Sequence, residues 1–194
     1  LVDLLCGRRL AGALVLPAGL AAIVVVGGFT EIVDATAEWT APLLAALAVL
    51  GVGLSLPWRF GRPDPWAVAA ALGVLFVFGA PVILSGDPTF AGFIKLDDTA
   101  TWLAMTDQTM ASGHDLGGVV PSTYQATLDF NLGDGYPVGA FIPFGAAREL
   151  VGGDLAWVFQ PYLAFLAAML SLCLFALLGG SWAIGACAPS LPSS

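Results

Sequence analysis

The sequence predicts an all-α integral membrane protein with about four transmembrane helices and a long extracytoplasmic loop that contains an amphipathic juxtamembrane helix. Three observations predict it. Hydrophobic residues fill 58% of the 194 positions and charged residues only 10%, where a soluble domain carries about 25% charged residues. Mean hydropathy is +0.90. The apolar residues also fall in four long runs free of Asp, Glu, Lys and Arg, and one such residue at a helix centre costs about 2.5–3.5 kcal/mol on insertion scales. The net charge of −8 excludes the basic surface that nucleic-acid binding requires.

The runs are Leu10 to Phe29, Thr40 to Trp58, Trp66 to Ser85 and Leu155 to Leu178. Each is about 19–24 residues, which at about 1.5 Å per residue matches a hydrocarbon core of about 30 Å. Arg8 and Arg9 before the first run resemble the start of a signal peptide. The run is too long for one and no small-residue cleavage site closes it, so it reads as a retained helix. Pro17, Pro42, Pro81 and Pro161 are tolerable near helix ends or as kinks, and Trp39, Trp58, Trp66 and Trp157 sit where an aromatic belt would put them. Cys6, Cys173 and Cys187 fit no metal spacing. They read as small hydrophobes rather than a disulfide or a zinc site.

Basic residues set the orientation. Arg8, Arg9, Arg59 and Arg62 fall on one side of the four runs, which the positive-inside rule makes cytoplasmic. The other side holds Glu31, Asp34 and Glu38, then nine carboxylates between Gly86 and Asp154 against Lys95 and Arg148. The chain therefore divides into three N-terminal transmembrane helices over 1–85 and an acidic extracytoplasmic loop with surface helices over 86–154. A fourth transmembrane helix follows over 155–178, then an uncharged tail over 179–194. The absence of an initiator Met and of any Lys or Arg after the last span leads us to expect a truncated chain, in the cell membrane with a cytoplasmic N-terminus.

Within the loop, Leu96, Leu103 and Met110 recur every seven residues, with Trp102 and Met105 three apart. This predicts a short amphipathic helix lying on the membrane surface, capped by Asp97 or Asp98 and stopped by Gly113. Gly117 to Gly135 reads as irregular. Tyr136 to Val151, with Pro137, Pro143 and several glycines, reads as interfacial or re-entrant rather than spanning.

Asp97-Asp98 is the strongest candidate for chemistry. Two adjacent carboxylates near a low-dielectric interface repel, so one holds its proton more tightly. Such a pair can serve as a general base or share a hard cation, Mg²⁺ or Mn²⁺. Helix capping and the helix dipole account for the same two residues without catalysis. Tyr124 and Tyr136 can stack on a sugar ring or anchor the interface. His114 reads as a solvated loop residue, and Asp129 and Asp134 around Asn131 as turn formers or cation ligands.

The order Lys95-Leu96-Asp97-Asp98, Met110-Ala-Ser-Gly113 and Tyr136-Pro137-Val-Gly139 resembles the first external loop of the GT-C superfamily of polyprenyl-phosphate-sugar-dependent membrane glycosyltransferases. The resemblance covers about 80 residues, from Phe93 to about Leu178. In that family an Asp at the membrane exit begins a juxtamembrane helix, and a Tyr-Pro or Pro-Pro element precedes the next span. The resemblance implies that this chain is the N-terminal portion of an enzyme moving a sugar from a polyprenyl phosphate to a hydroxyl of a glycan, lipid or protein acceptor. It implies Asp97 or Asp98 as the base, with the other carboxylate orienting the acceptor or holding a metal. Lys95 and Arg148 would meet the leaving phosphate, or else snorkel at the interface, and Tyr136 would contact substrate. The alternative is a non-catalytic membrane subunit or transporter component. The absence of ionisable residues from all four runs counts against a charge-coupled carrier.

Overall fold

The computed structural model describes residues 1–7, 10, 12–32, 34–55, 64–87, 89 and 97–186, excepting the side chains of 4, 55, 97 and 180–186. Among them every regular element is helical. In chain order these are α1 (Val2–Leu5), α2 (Val15–Glu31), α3 (Asp34–Ala37), α4 (Thr40–Ser55), α5 (Pro65–Ser85), α6 (Asp97–Ser112), α7 (Thr123–Leu128), α8 (Ile142–Val151) and α9 (Leu155–Ala186). A 3₁₀ turn, Gly12–Leu14, leads into α2, and a π-helical turn, Asp129–Gly133, extends α7.

Local chemistry sets the ends of α5. The Asp64 side chain accepts the Trp66 N–H at 2.8 Å, and Pro65 occupies the first turn, where its missing N–H costs nothing. Gly86 closes the helix at φ +73°, its N–H donating to the Val82 carbonyl at 3.0 Å.

Among the described residues three stretches, Gly12–Glu31, Pro65–Ser85 and Leu155–Gly179, are long and apolar enough to cross a membrane, and Thr40–Leu54 is a shorter apolar helix. Four spans were expected; residues 56–58, at the end of the second, lie outside the described residues, as do Arg8, Arg9, Arg59, Arg62 and Lys95. Helix α9 continues past Leu178 to Ala186. Phe29, Val77, Leu84 and Leu177 are each more than 70% exposed. Apolar surface left bare on this scale belongs in lipid, and the chain is membrane-associated.

The long helices pack in antiparallel pairs. Ala67 at the start of α5 lies against Ala168, Met169 and Leu172 of α9, whereas near the other end of α5 the Phe78 carbonyl accepts the Gln160 amide at 2.7 Å. That bond gives a polar side chain only 2% exposed a partner on the neighbouring helix. Leu1 lies against Gly51, late in α4, so α4 returns toward the level at which the chain begins.

Residues 97–154 form a packed layer over one end of these helices. Helix α6 ends before Gly113, as expected, but it does not lie as a ribbon with one covered face. Met105 meets Leu128, Leu132 and Val138, Met110 meets Ala41 and Ala146, and Trp102 and Leu103 border Phe144, Leu155 and Phe159. Its polar flank is covered too, with Thr106 and Thr109 at 1% and 2% exposure. Each threonine hydroxyl donates to a carbonyl one turn back, Thr106 to Trp102 at 2.7 Å and Thr109 to Met105 at 2.6 Å, which turns a polar residue into one that packs through its methyl. The segment expected to be irregular contains α7 and the π turn. Ser122 caps α7 by accepting the Gln125 N–H at 3.2 Å, and the spacing Ser122-x-x-Gln125 is a capping-box signal already present in the sequence.

Helix α8 is the keystone of the layer. It touches α2 where Gly27 faces Ile142 and α6 where Gly145 faces Met110 and Thr106. A β-carbon at either glycine would overlap those side chains, so the helices approach at backbone distance. Gly113, at φ +61°, presses against Asp34, whose Oδ1 accepts the His114 N–H at 3.0 Å. Gly27→Ala is expected to lower stability by about 1–3 kcal/mol by overpacking. Gly28→Ala, at a neighbour with open space around it, is expected to be neutral or to gain about 0.5–1 kcal/mol. Thermal unfolding of the two variants in detergent checks the contrast.

Candidate functional site

Asp98 stands in the first turn of α6 with an exposed side chain. Its environment comes from the segment expected to be irregular. An open cleft of about 420 Å³ is lined by Asp98 and Thr101 of α6 with Ala126, Thr127, Phe130 and Asn131 of α7 and the π turn. The π turn inserts an extra residue, a device common at functional sites, and Phe130 stands out from it 73% exposed. Asn131 Nδ2 donates to the Thr127 carbonyl at 2.8 Å, and Thr127 Oγ1 donates to Thr123 at 2.9 Å. The Thr127 donor and one Asn131 amide hydrogen are thereby spent locally, which leaves the Thr101 hydroxyl and the second Asn131 N–H beside the Asp98 carboxylate. A cleft with a carboxylate, hydroxyl and amide groups and one aromatic face suits a ligand that carries hydroxyls on an apolar ring.

The other sequence candidates separate. Asp97 begins α6, but its side chain lies outside the described residues, as does all of Lys95. Tyr136 is half-exposed and its ring stacks on Phe141 at 6.4 Å and 16°, and Phe141 in turn stacks on Trp102 at 6.0 Å and 29°. Tyr136 is therefore joined to α6 through two rings rather than set against Asp98.

Arg148 is not gathered to the pair. Its guanidinium donates to the Asp107 carboxylate and, at 3.0 Å, to Glu149. Asp107 lies nine residues beyond Asp98 on α6, about 13 Å along the axis. In this structure Arg148 links α8 to α6. Burial works against its charge, but the hydrogen bond and charge of Asp107, with Glu149, prevail and raise its pKa above the ordinary value. The Tyr124 hydroxyl donates to the Ala104 carbonyl at 3.4 Å, and burial, then the Asp107 charge, push its pKa up. His114 is exposed, in accord with expectation. Cys6 and Cys173 are free thiols, and Cys187 lies outside the described residues. Among the described residues no three His, Cys, Asp or Glu side chains converge to hold a metal.

One residue escaped the sequence reading. Glu31, counted there only as an outer-face charge beyond a span ending at Phe29, is the last residue of α2 and is 1% exposed. Neither of its carboxylate oxygens has a hydrogen-bond partner. It borders a gap too narrow for water, shared with Thr106, Thr109, Met110, Phe141 and Ile142. A buried carboxylate without a partner is costly. The signal available in sequence was Thr30-Glu31 directly continuing an apolar run.

No family model, curated protein or solved structure matches the chain.

The Asp107–Arg148 pair is 55% and 29% exposed, so solvent screens it. A double-mutant cycle with Asp107→Asn and Arg148→Gln is expected to give a coupling of about 0.2–1 kcal/mol, measured by denaturant or thermal unfolding. A coupling of several kcal/mol would mean that the pair carries the layer.

Proposed function

We propose that this chain belongs to a membrane glycosyltransferase that moves a sugar from a polyprenyl-phosphate donor to an acceptor hydroxyl at the outer membrane face. The observation that carries the reading is the open cleft at the head of α6, which sets the Asp98 carboxylate beside Thr101, Thr127, Asn131 and the exposed ring of Phe130. Hydroxyl-bearing rings bind through this mixture of polar groups and an aromatic face. The resemblance of the Asp97-Asp98, Gly113 and Tyr136-Pro137 pattern to GT-C enzymes supports the same assignment.

In this mechanism Asp98 or Asp97 accepts the proton of the acceptor hydroxyl as its oxygen attacks the anomeric carbon, and the bond to the polyprenyl phosphate breaks. The other carboxylate orients the acceptor. Lys95, two residues before Asp97, is the cation nearest in sequence to the leaving phosphate. A Mg²⁺ or Mn²⁺ ion at this place would be held by Asp97 and Asp98, with substrate or water oxygens completing its shell, and would neutralise charge on the phosphate. The lipid tail of the donor stays in the bilayer, and its sugar meets the layer at the interface.

The reading includes four crossings. Support for α4 as the fourth comes from its start beside the layer, at Ala41, and the meeting of Gly51 with Leu1 near the other end. With the N-terminus cytoplasmic, as Arg8, Arg9, Arg59 and Arg62 favour, the layer lies outside the cell membrane. One observation favours a second reading as a transport component: Glu31, an ionisable group buried where α2 meets the layer.

Asp97→Asn and Asp98→Asn are the test. In the full-length protein, with a labelled polyprenyl-phosphate sugar and an external acceptor, loss of the base is expected to cut transfer on the order of 10²–10⁴-fold. Undiminished transfer in both single variants and in the double variant removes the catalytic assignment.

A further inference from the structure

Glu31 presents a chemical problem that the described chain leaves unsolved. Its carboxylate is sealed between α2, α6 and α8, both oxygens unpartnered. The hydroxyls of Thr106 and Thr109 line the same gap, but each has given its only hydrogen to a carbonyl of its own helix. They face Glu31 as acceptors alone. Basic help is also missing. Arg148 is the only Lys or Arg among the described residues, and it is engaged by Asp107 and Glu149.

An enclosure of oxygens with a negative charge and no donor is the chemistry of a cation site. Its size selects among cations. The gap does not admit a water molecule, which excludes an ion that keeps its hydration shell, as Mg²⁺ does, and Ca²⁺ requires six to eight oxygens. A bare K⁺ is as large as water, whereas Na⁺ is smaller. A proton is the competing occupant, since a neutral carboxyl can donate its O–H to a threonine oxygen of the same gap, and the response to salt separates the two.

We propose that Glu31, Thr106 and Thr109 form a buried binding site for a dehydrated sodium ion that ties the end of α2 to α6. Two carboxylate oxygens and two hydroxyl oxygens would supply four ligands. The site lies eight to eleven residues beyond Asp98 on the same helix, about 12–16 Å along its axis. It does not depend on the glycosyltransferase reading, because no part of that reaction touches Glu31.

The test is thermal unfolding of the purified chain in detergent at pH 8, in NaCl, KCl or choline chloride at equal ionic strength. Sodium alone is expected to raise Tm in a saturable way, by about 5–10 °C at a hundredfold excess over Kd. The response should vanish in Glu31→Gln and shift to higher concentration in Thr109→Val. Retention of ²²Na⁺ by the wild type, displaced by unlabelled Na⁺ but not by K⁺, is expected in parallel. Equal Tm in the three salts would overturn the proposal, and the wild type alone decides that point. A sodium effect that survives in Glu31→Gln would also overturn it, as would stabilisation by acid that is the same in every salt.

Discussion

The approach of α8 to its two neighbours at backbone distance is the constraint on which the rest of the structure depends. Gly27 and Gly145 remove the side chains that would hold the helices apart. Once α8 is seated, Phe144 drops between α6 and α9, meeting Phe159 edge to face and stacking on Tyr162, with ring centroids 5.5 Å apart in each case. The Tyr162 hydroxyl then donates to the Ala140 carbonyl at 2.6 Å, holding the segment that enters α8. A ten-residue helix is too short to cross a bilayer. It serves instead as a wedge that converts separate apolar helices and a polar segment into one packed body.

Hydrophobic burial alone does not explain the layer, because much of what is buried there is polar. Thr40, Thr106, Thr109 and Gln108 are all enclosed. Thr40 shares a hydrogen bond of 2.7 Å with Thr30, and Gln108 donates to the Asp115 carbonyl at 2.7 Å. Each enclosed donor is matched to an acceptor, mostly on its own helix or the next turn, so polar groups enter without an unpaired cost. Glu31 stands out against this pattern. Among the described residues only one other buried polar side-chain atom, Gln160 Oε1 in α9, lacks a partner.

Helix α6 therefore has two chemically different ends. Its N-terminal end opens to a polar cleft with an aromatic wall, where a carboxylate can meet a ligand from solvent or from the membrane surface. Its C-terminal half is closed over a carboxylate that no solvent reaches. The helix is held between them by the packing of Met105 and Met110. A change in how tightly α2 grips its buried half would be felt along one continuous helix, because packed elements of this kind move as units rather than deform.

Composition and period decided the class. Long uncharged runs can satisfy their backbone in lipid only as helices, which is why α2, α5 and α9 were legible as helices, although α2 starts later, at Val15, and α9 runs on past Leu178 to Ala186. The Gly113 stop was legible too. The sequence also placed the Asp97-Asp98 pair at a helix head, where α6 begins. Periodicity could not find α7, whose capping signal is short and whose length gives no repeat, nor the π turn that builds the cleft around Asp98. It read α6 as having one covered face because it scores threonine as polar, whereas threonine that bonds its own helix packs as an apolar residue. The surroundings of Arg148 and Glu31 were not legible for a related reason. A charge's meaning depends on what lies opposite it across 41 residues, for Arg148 and Asp107, or across the gap between α2 and α6, for Glu31. Residue type and local spacing determined which segments are helical and apolar; only tertiary packing decided which charges are paired, which is open, and which is sealed away without a partner.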